Sequence, residues 1–351
     1  RDAQESRGLG DVYKRQDLKI ISFGPRPLNF LACNAPIQQL YNIGVEIEEN
    51  SELDLLVSYK EHAGDPRIEE VCKDMAAEMG EGHYYPDLLA RMAQFELTLL
   101  DWAENHKGSK KYVAFADKCW PAFPSQFGFE PCYVNSRLVS RGIPVSCEVD
   151  IYGALSEYIG MCASGDTVTL LDINNSVPKY IYDEDISGKF DYKLTDTFMG
   201  FHCGNTPACK MCNDRAVKYQ LIQHRLLEPV GSDPDFTRGT LEGDIAPSDI
   251  TFYRLQCDSE GQLRAYIAEG EILPVATRSF GGIAIFAIPE MGRFYRHVLI
   301  QKRYPHHGAV AFGHYGKTLF EVLKFFGIAD IAYNQPKSCL LYTSDAADDL
   351  T

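Results

Sequence analysis

The chain has 351 residues, of which 45% are hydrophobic and 24% are charged, as in an ordinary globular protein. A chain of this length is usually two domains. Its formal net charge of −15 excludes nucleic acid or an anionic membrane as the main partner, since both select basic surfaces. No apolar run reaches the roughly 18 residues of a membrane span. The eleven cysteines are odd in number and dispersed, which favours reduced thiols in a cytoplasmic protein.

The two ends differ from the rest of the chain. Residues 1–16 and 338–351 have no periodicity and join abruptly to well-patterned sequence. We interpret both segments as artefactual, translated from sequencing adapters, as happens in metagenomic fragments. On this interpretation the natural segment is residues 17–337, cut at both ends.

Strand and helix patterns alternate over residues 17–163. In chain order the predicted elements are a strand at Leu18–Phe23, a helix at Pro36–Asn42, strands at Val45–Ile47 and Leu53–Ser58, helices at Asp65–Met79 and Tyr85–Asn105, a strand at Tyr112–Phe115 and a helix at Tyr152–Cys162. This alternation predicts a Rossmann-like α/β domain with a parallel sheet.

The pattern changes after about Gly165. Short strand-like runs separated by Gly, Pro, Asp and Asn clusters predict a mostly β, barrel-like C-terminal domain over residues 164–337. The predicted strands are Thr167–Leu171, Ile250–Gln256, Leu263–Glu269, Ala284–Ala287 and Ala309–Phe312, followed by a helix at Lys317–Phe326.

Two carboxylates lie at the ends of apolar runs. Glu148 follows a Gly-Ile-Pro turn, and Asp172 ends a second run 24 residues later. A carboxylate in such a place is expensive to bury unless it is paired or binds a cation. Taken singly, each residue would more often cap a helix or pair with an arginine. Strand ends are also where open α/β sheets bind ligands, which favours a site here.

Histidines in two places could complete that site. His202 lies in one region, and the adjacent His306 and His307 lie in the other. Neighbouring residues of a strand point to opposite faces, so we expect at most one of the pair to enter the site. A lone histidine is usually a packed or surface residue, but the two carboxylates favour a ligand here.

At this point several blocks resemble the L-fucose/L-arabinose isomerase family, in the right order and with the right spacing, over about residues 17–336. The blocks are Lys118-Cys119-Trp120-Pro121, Gly142-Ile143-Pro144, Cys147 to Leu155, Leu171-Asp172, His202-Cys203-Gly204-Asn205-Thr206, Gly239-Thr240-Leu241 with Pro247 to Leu255, and Pro305-His306-His307. The region corresponds to the middle and C-terminal domains of that family, so the resemblance implies that an N-terminal domain is missing.

The resemblance also implies a site and an activity. Glu148 and Asp172 would bind a divalent metal, usually Mn²⁺, and handle protons, with His307 favoured over His306 as the histidine ligand. His202 would be a further ligand or lie just outside the ligand shell. The activity would be aldose–ketose isomerisation of a free monosaccharide through a cis-enediol, in a homo-oligomer such as a trimer or hexamer. Candidate sugar contacts are Trp120, Asn205, Tyr152 and Arg254.

Two other functions stay open. His202-Cys203 with Cys209 and Cys212 resembles a metal knuckle, which would make the chain a zinc or iron–sulfur binding module. A second Cys-x-x-Cys pair at a matching distance is missing. The other alternative is a sugar-binding relative that kept the fold without the chemistry.

Overall fold

The computed structural model of the chain describes residues 17–335. The two segments predicted to be artefactual, residues 1–16 and 338–351, lie outside the described residues. Within those limits, no helix is both long enough and apolar enough to cross a bilayer.

The first sheet is parallel and has four strands in the order β2-β1-β3-β4. This confirms the Rossmann-like prediction. Its strands are β1 (Leu18–Phe23), β2 (Glu46–Asn50), β3 (Tyr112–Ala116) and β4 (Val145–Ser146). The helices of this half are α1 (Gln38–Asn42), α2 (Glu52–Glu61), α3 (Ile68–Met79), α4 (Leu89–His106), α5 (Phe123–Phe127), α6 (Cys132–Ser140) and α7 (Ile151–Ser164).

The strand predicted at Leu53–Ser58 is wrong, because this segment lies inside helix α2. The Ser51 side chain accepts a hydrogen bond from the Leu53 amide, and the Asp54 carboxylate accepts one from the Ser51 amide. This reciprocal cap stabilises a helix start. Leu55 and Tyr59, four residues apart, are the buried positions, which is the helical period.

The second sheet has nine strands in the order β13-β10-β9-β12-β5-β6-β11-β8-β7. An additional pairing of β10 with β11 closes six antiparallel strands, β10-β9-β12-β5-β6-β11, into a barrel. The mostly β prediction is therefore confirmed. The strands are β5 (Val168–Asn175), β6 (Thr197–His202), β7 (Ala216–Tyr219), β8 (Arg238–Asp244), β9 (Ser248–Cys257), β10 (Leu263–Ile272), β11 (Gly282–Ala287), β12 (His307–Phe312) and β13 (Asp330–Asn334), and the helices are α8 (Lys179–Ile181), α9 (Leu221–Leu227), α10 (Met291–Phe294) and α11 (Gly316–Phe325).

The sequence patterns did not predict strands β6, β7, β8 and β13. In β6, Gly200 interrupts the apolar run and weakens the strand pattern. The structure explains this glycine, because a Cβ there would lie 2.3 Å from the ring of Phe286 on the paired strand. A residue that looks like a strand breaker is thus required for packing inside the barrel.

Helix α7 packs the parallel sheet against the barrel. One hydrophobic cluster contains Leu18 of β1, Leu155 of α7, Leu255 of β9 and Ala309 of β12. The helix approaches the barrel so closely that a Cβ at Gly160 would overlap the Tyr253 hydroxyl. Because the core is shared, the turn before α7 is held in a fixed position beside barrel strands β5 and β12.

Candidate metal and active site

Asp172 and His307 meet at one end of the barrel. They are directly opposite each other on the antiparallel strands β5 and β12. Side chains at such a pair of positions point to the same face of the sheet. The Asp172 Oδ1 and His307 Nε2 atoms are 3.1 Å apart. Residues more than 130 positions apart in sequence are thus joined by strand pairing.

Glu148 reaches the same point from the parallel sheet. It follows β4 in a short turn, Cys147–Val149, where Glu148 and Val149 have φ angles of 62° and 58°. This left-handed backbone is unfavourable for residues other than glycine, by about 1–3 kcal/mol each, and is typical of functional sites. A hydrogen bond from the Val149 amide to the Asp117 carbonyl, 2.9 Å long, holds the turn.

Two carboxylates therefore meet the same imidazole nitrogen. The Glu148 Oε2 atom lies 3.0 Å and the Asp172 Oδ1 atom 3.1 Å from His307 Nε2. All three atoms are buried, and apart from these contacts with one another they have no hydrogen-bond partner within the described part of the chain. The remaining carboxylate surface stays open, since the side chains of Glu148 and Asp172 are 13% and 20% exposed. The cluster is buried on one side and accessible on the other.

Asp150 determines the tautomer of His307. Its Oδ2 atom accepts a 2.8 Å hydrogen bond from His307 Nδ1, so Nε2 is the ring nitrogen that faces Glu148 and Asp172. Burial alone would raise the pKa of Asp150, but Arg254 and His307 outweigh it and hold that pKa well below its usual range. Burial lowers the pKa of His307, but the bonds to Asp150 and Asp172 prevail and raise it well above its usual value.

Arg254 anchors Asp150. The two terminal guanidinium nitrogens donate to the two carboxylate oxygens of Asp150, each at 2.8 Å, and both side chains are 1% exposed. The same carboxylate caps helix α7 by accepting from the Gly153 amide. Arg254 was a candidate sugar contact. The structure instead places it behind the donor cluster, where it is bound to Asp150.

His306 also faces the cluster. Its Nε2 atom lies 3.5 Å from Asp172 Oδ1, and the donor atoms of Asp172, His306 and His307 all lie within 4.8 Å of one another. The expectation that only one of the two histidines would enter the site is wrong. Strand β12 begins at His307, so His306 precedes the strand. The rule that neighbouring strand residues point to opposite faces therefore does not apply to this pair.

His202 lies beside His307, with ring centroids 5.8 Å apart. Its Nδ1 atom accepts a 2.9 Å hydrogen bond from the Cys203 amide, which leaves the ring proton on Nε2. A protonated nitrogen cannot bind a cation. In this arrangement His202 is therefore a neighbour of the donor cluster and not a member of it.

Aromatic residues line the accessible side. Trp120 donates from Nε1 to Glu148 Oε1 over 3.3 Å. The Phe30 ring packs 5.3 Å from His306, 5.8 Å from His307 and 6.4 Å from Trp120. Asn205 is fully buried, and neither polar atom of its side chain has a hydrogen-bond partner within residues 17–335.

Sequence reasoning missed Asp150, Cys33 and Phe30. Asp150 had a usable signal, because an Asp directly before a helix is a common cap and it lies only two positions after Glu148. Cys33 and Phe30 lie in the loop after β1 and carry no pattern that predicts a site. Burial raises the pKa of Cys33 to about 12.

The cysteine knuckle is not assembled. Cys209 is exposed and approaches Thr167, whereas the partly buried Cys203 accepts a hydrogen bond from Gln220. Among the described residues, no group of three close ligand side chains includes Cys209 or Cys212. The metal-knuckle alternative is therefore wrong for this structure.

Comparison with known proteins shows what the chain resembles. Residues 200–333 match the family described as "L-fucose isomerase, C-terminal domain". This part of the chain is therefore similar to a fucose isomerase domain. The chain is also 24% identical over 295 residues to the sulfoquinovose isomerase of Clostridium sp. (strain MSTE9), covering 80% of this chain and 57% of that protein. It is 24% identical over 323 residues to the sulfoquinovose isomerase of Priestia aryabhattai, covering 90% of this chain and 65% of that protein. The chain thus spans about half to two thirds of the length of these curated relatives.

Proposed function

We propose that this chain is the catalytic part of a metal-dependent aldose–ketose isomerase that acts on a free sugar. The observation that supports this most is the approach of Glu148 Oε2 and Asp172 Oδ1 to His307 Nε2, three buried atoms that have no hydrogen-bond partner outside this cluster within residues 17–335. Buried polar groups are normally satisfied, so such a cluster fits a bound cation. The match to an isomerase family supports the reaction class.

The donor set fits a divalent cation such as Mn²⁺. Two carboxylates and one imidazole are oxygen-rich, mixed ligands of the kind that Mn²⁺ accepts. Glu148, Asp172 and His307 would hold it, with His306 next to them. When bound, a cation of this type polarises a carbonyl and stabilises a developing enediolate.

The chain's own residues would move the protons. Isomerisation takes a proton from C2, passes through a cis-enediol and returns a proton to C1, so it needs a positioned base. Burial raises the pKa of Asp172, but the hydrogen bond with His307 outweighs it and lowers the pKa, so Asp172 is a carboxylate. Trp120 orients Glu148 through its indole N–H. Phe30 presents an apolar face that would exclude water from the reacting carbons.

The choice of sugar has two sources of support. The sequence resemblance favours L-fucose or L-arabinose, whereas the relatives are named sulfoquinovose isomerases. Two cationic side chains of this region are already paired, Arg254 with Asp150 and Lys118 with Glu52 over 2.9 Å. We therefore propose a neutral aldose, such as L-fucose or L-arabinose, as the substrate ahead of sulfoquinovose.

The test is a panel of sugars with the purified chain and Mn²⁺. L-fucose, L-arabinose and sulfoquinovose would each be incubated with the protein, and ketose formation followed by NMR. We expect conversion of at least one aldose, and its loss on removal of the metal with a chelator. Sugar binding without any conversion, in the presence of Mn²⁺, would instead favour the non-catalytic sugar-binding alternative.

Metal binding should depend on pH. The pKa of His307 lies well above the ordinary value of about 6.5, so the metal-free ring is protonated at neutral pH and a cation must displace that proton. Binding should release close to one proton, and the apparent affinity should rise with pH by up to about tenfold per unit until the pKa of His307 is passed. Calorimetry in two buffers of different ionisation enthalpy measures the released proton. Binding with no proton release would contradict this assignment of His307.

A further inference from the structure

A thiol lies at the edge of the donor cluster. Cys33 ends a short turn, Leu31–Cys33, in the loop after β1, and its Sγ atom is 3.8 Å from His307 Nδ1. Ligand atoms of Cys33, Glu148 and His307 all lie within 4.8 Å of one another. Nothing in the proposed isomerisation uses this sulfur.

The separations are close to those of a metal site that includes sulfur. Zinc binds sulfur at about 2.3 Å and nitrogen at about 2.0 Å, which puts two tetrahedral ligand atoms roughly 3.5 Å apart. Contraction by about 1 Å would bring these ligand atoms from within 4.8 Å to that spacing. Cys33 lies in a loop, where such an adjustment is easier than in a barrel strand.

The two subsets of ligands have different chemical preferences. Glu148, Asp172 and His307 offer oxygen and nitrogen, which suit Mn²⁺, while Cys33 offers sulfur, which Zn²⁺ and Cd²⁺ prefer. His307 and Glu148 belong to both subsets: the fully buried His307 Nε2 lies 3.0 Å from Glu148 Oε2 and, within residues 17–335, has no hydrogen-bond partner outside the donor cluster. A cation that takes the sulfur therefore competes for the same imidazole and carboxylate.

We propose that Cys33 gives this site a second, thiophilic metal-binding mode, in which Zn²⁺ or Cd²⁺ bound by Cys33, Glu148 and His307 excludes Mn²⁺. The proposal rests on the proposed function, because the displaced ion is the isomerase metal. Formation of the metal–sulfur bond releases the thiol proton to solvent, and no electron is transferred. The consequence is that a thiophilic cation inhibits the protein by occupying the site.

Displacement of Mn²⁺ by Cd²⁺ tests the proposal. Free Mn²⁺ would be followed by electron paramagnetic resonance while Cd²⁺ is added to the Mn²⁺-loaded protein and to its Cys33→Ser variant. We expect Cys33→Ser to need at least about tenfold more Cd²⁺ for half displacement, with Mn²⁺ affinity within about twofold of the original. The ultraviolet absorption of cadmium–thiolate bonds should be lower in the variant by the amount that one thiolate ligand contributes.

Cys209→Ser is the matched control, because Cys209 is an exposed thiol outside the donor cluster. It should leave the displacement curve unchanged. Equal Cd²⁺ sensitivity of the original and Cys33→Ser proteins, or unchanged thiolate absorption, would overturn the proposal. Failure of the proposed function looks different: no aldose would be converted, while the Cys33-dependent absorption on direct addition of Cd²⁺ to metal-free protein would persist.

Discussion

Replacing Glu148 with glutamine is expected to lower kcat/KM by about 10³-fold for whichever aldose the protein converts. The substitution keeps the shape of the side chain and removes its charge, so it weakens a cation ligand and abolishes a proton acceptor. Positioned proton transfer alone contributes about 10²–10⁴-fold. Initial rates at saturating Mn²⁺, together with metal affinity from calorimetry, would separate the two losses.

Glu184→Gln is the matched control for this prediction. Glu184 bonds Arg278 at the surface, where its side chain is 60% exposed, so its replacement should leave activity and metal affinity unchanged. Activity retained within about tenfold in Glu148→Gln would show that this carboxylate does not handle the proton. In that case Asp172, which faces the same His307 nitrogen, becomes the candidate base and Asp172→Asn should lose activity instead.

The positions of Glu148 and Asp172 could be predicted from sequence because both follow apolar runs. A carboxylate at the end of a buried strand requires a partner, and this argument needs no knowledge of the fold. The 23 residues between them include helix α7 and the start of β5, which lead away from the site and back to it. His307 could be chosen as the ligand only through the family resemblance, because its pairing with Asp172 joins distant strands that no local pattern reveals.

The rest of the site depends on backbone geometry and on long-range contacts. The left-handed turn at Glu148 and Val149 redirects the side chains after β4, and no residue there is the glycine that would have indicated such a turn. Phe30 comes from a loop without a periodic pattern. Leu53–Ser58 was wrongly predicted as a strand because its apolar residues fit both the strand period and the helix period. The cap at Ser51 stabilises the helix.

Replacing Arg254 with methionine is expected to destabilise the fold by about 3–5 kcal/mol, the usual cost of leaving one member of a buried ion pair without its partner. Asp150 would stay buried with the His307 and Gly153 bonds but without the two guanidinium hydrogen bonds. Urea unfolding measures the loss. Arg278→Met is the matched control, because its ion pairs are on the surface and their loss should leave the unfolding midpoint nearly unchanged.

In an acid titration, Arg254→Met should also unfold at a higher pH than the original protein. The folded-state pKa of Asp150 is depressed, so the carboxylate contributes stability that is present above its unfolded pKa of about 3.9 and is lost as the pH falls through the folded value. Without Arg254 the folded-state pKa of Asp150 rises, so the stability that its carboxylate contributes is lost at a higher pH. Pairing Arg254→Met with Asp150→Asn removes both charges, so the double variant should be more stable than the sum of the two single effects predicts. Additive losses would mean that the two side chains act independently, and the short bonds between them would then not explain how His307 is held.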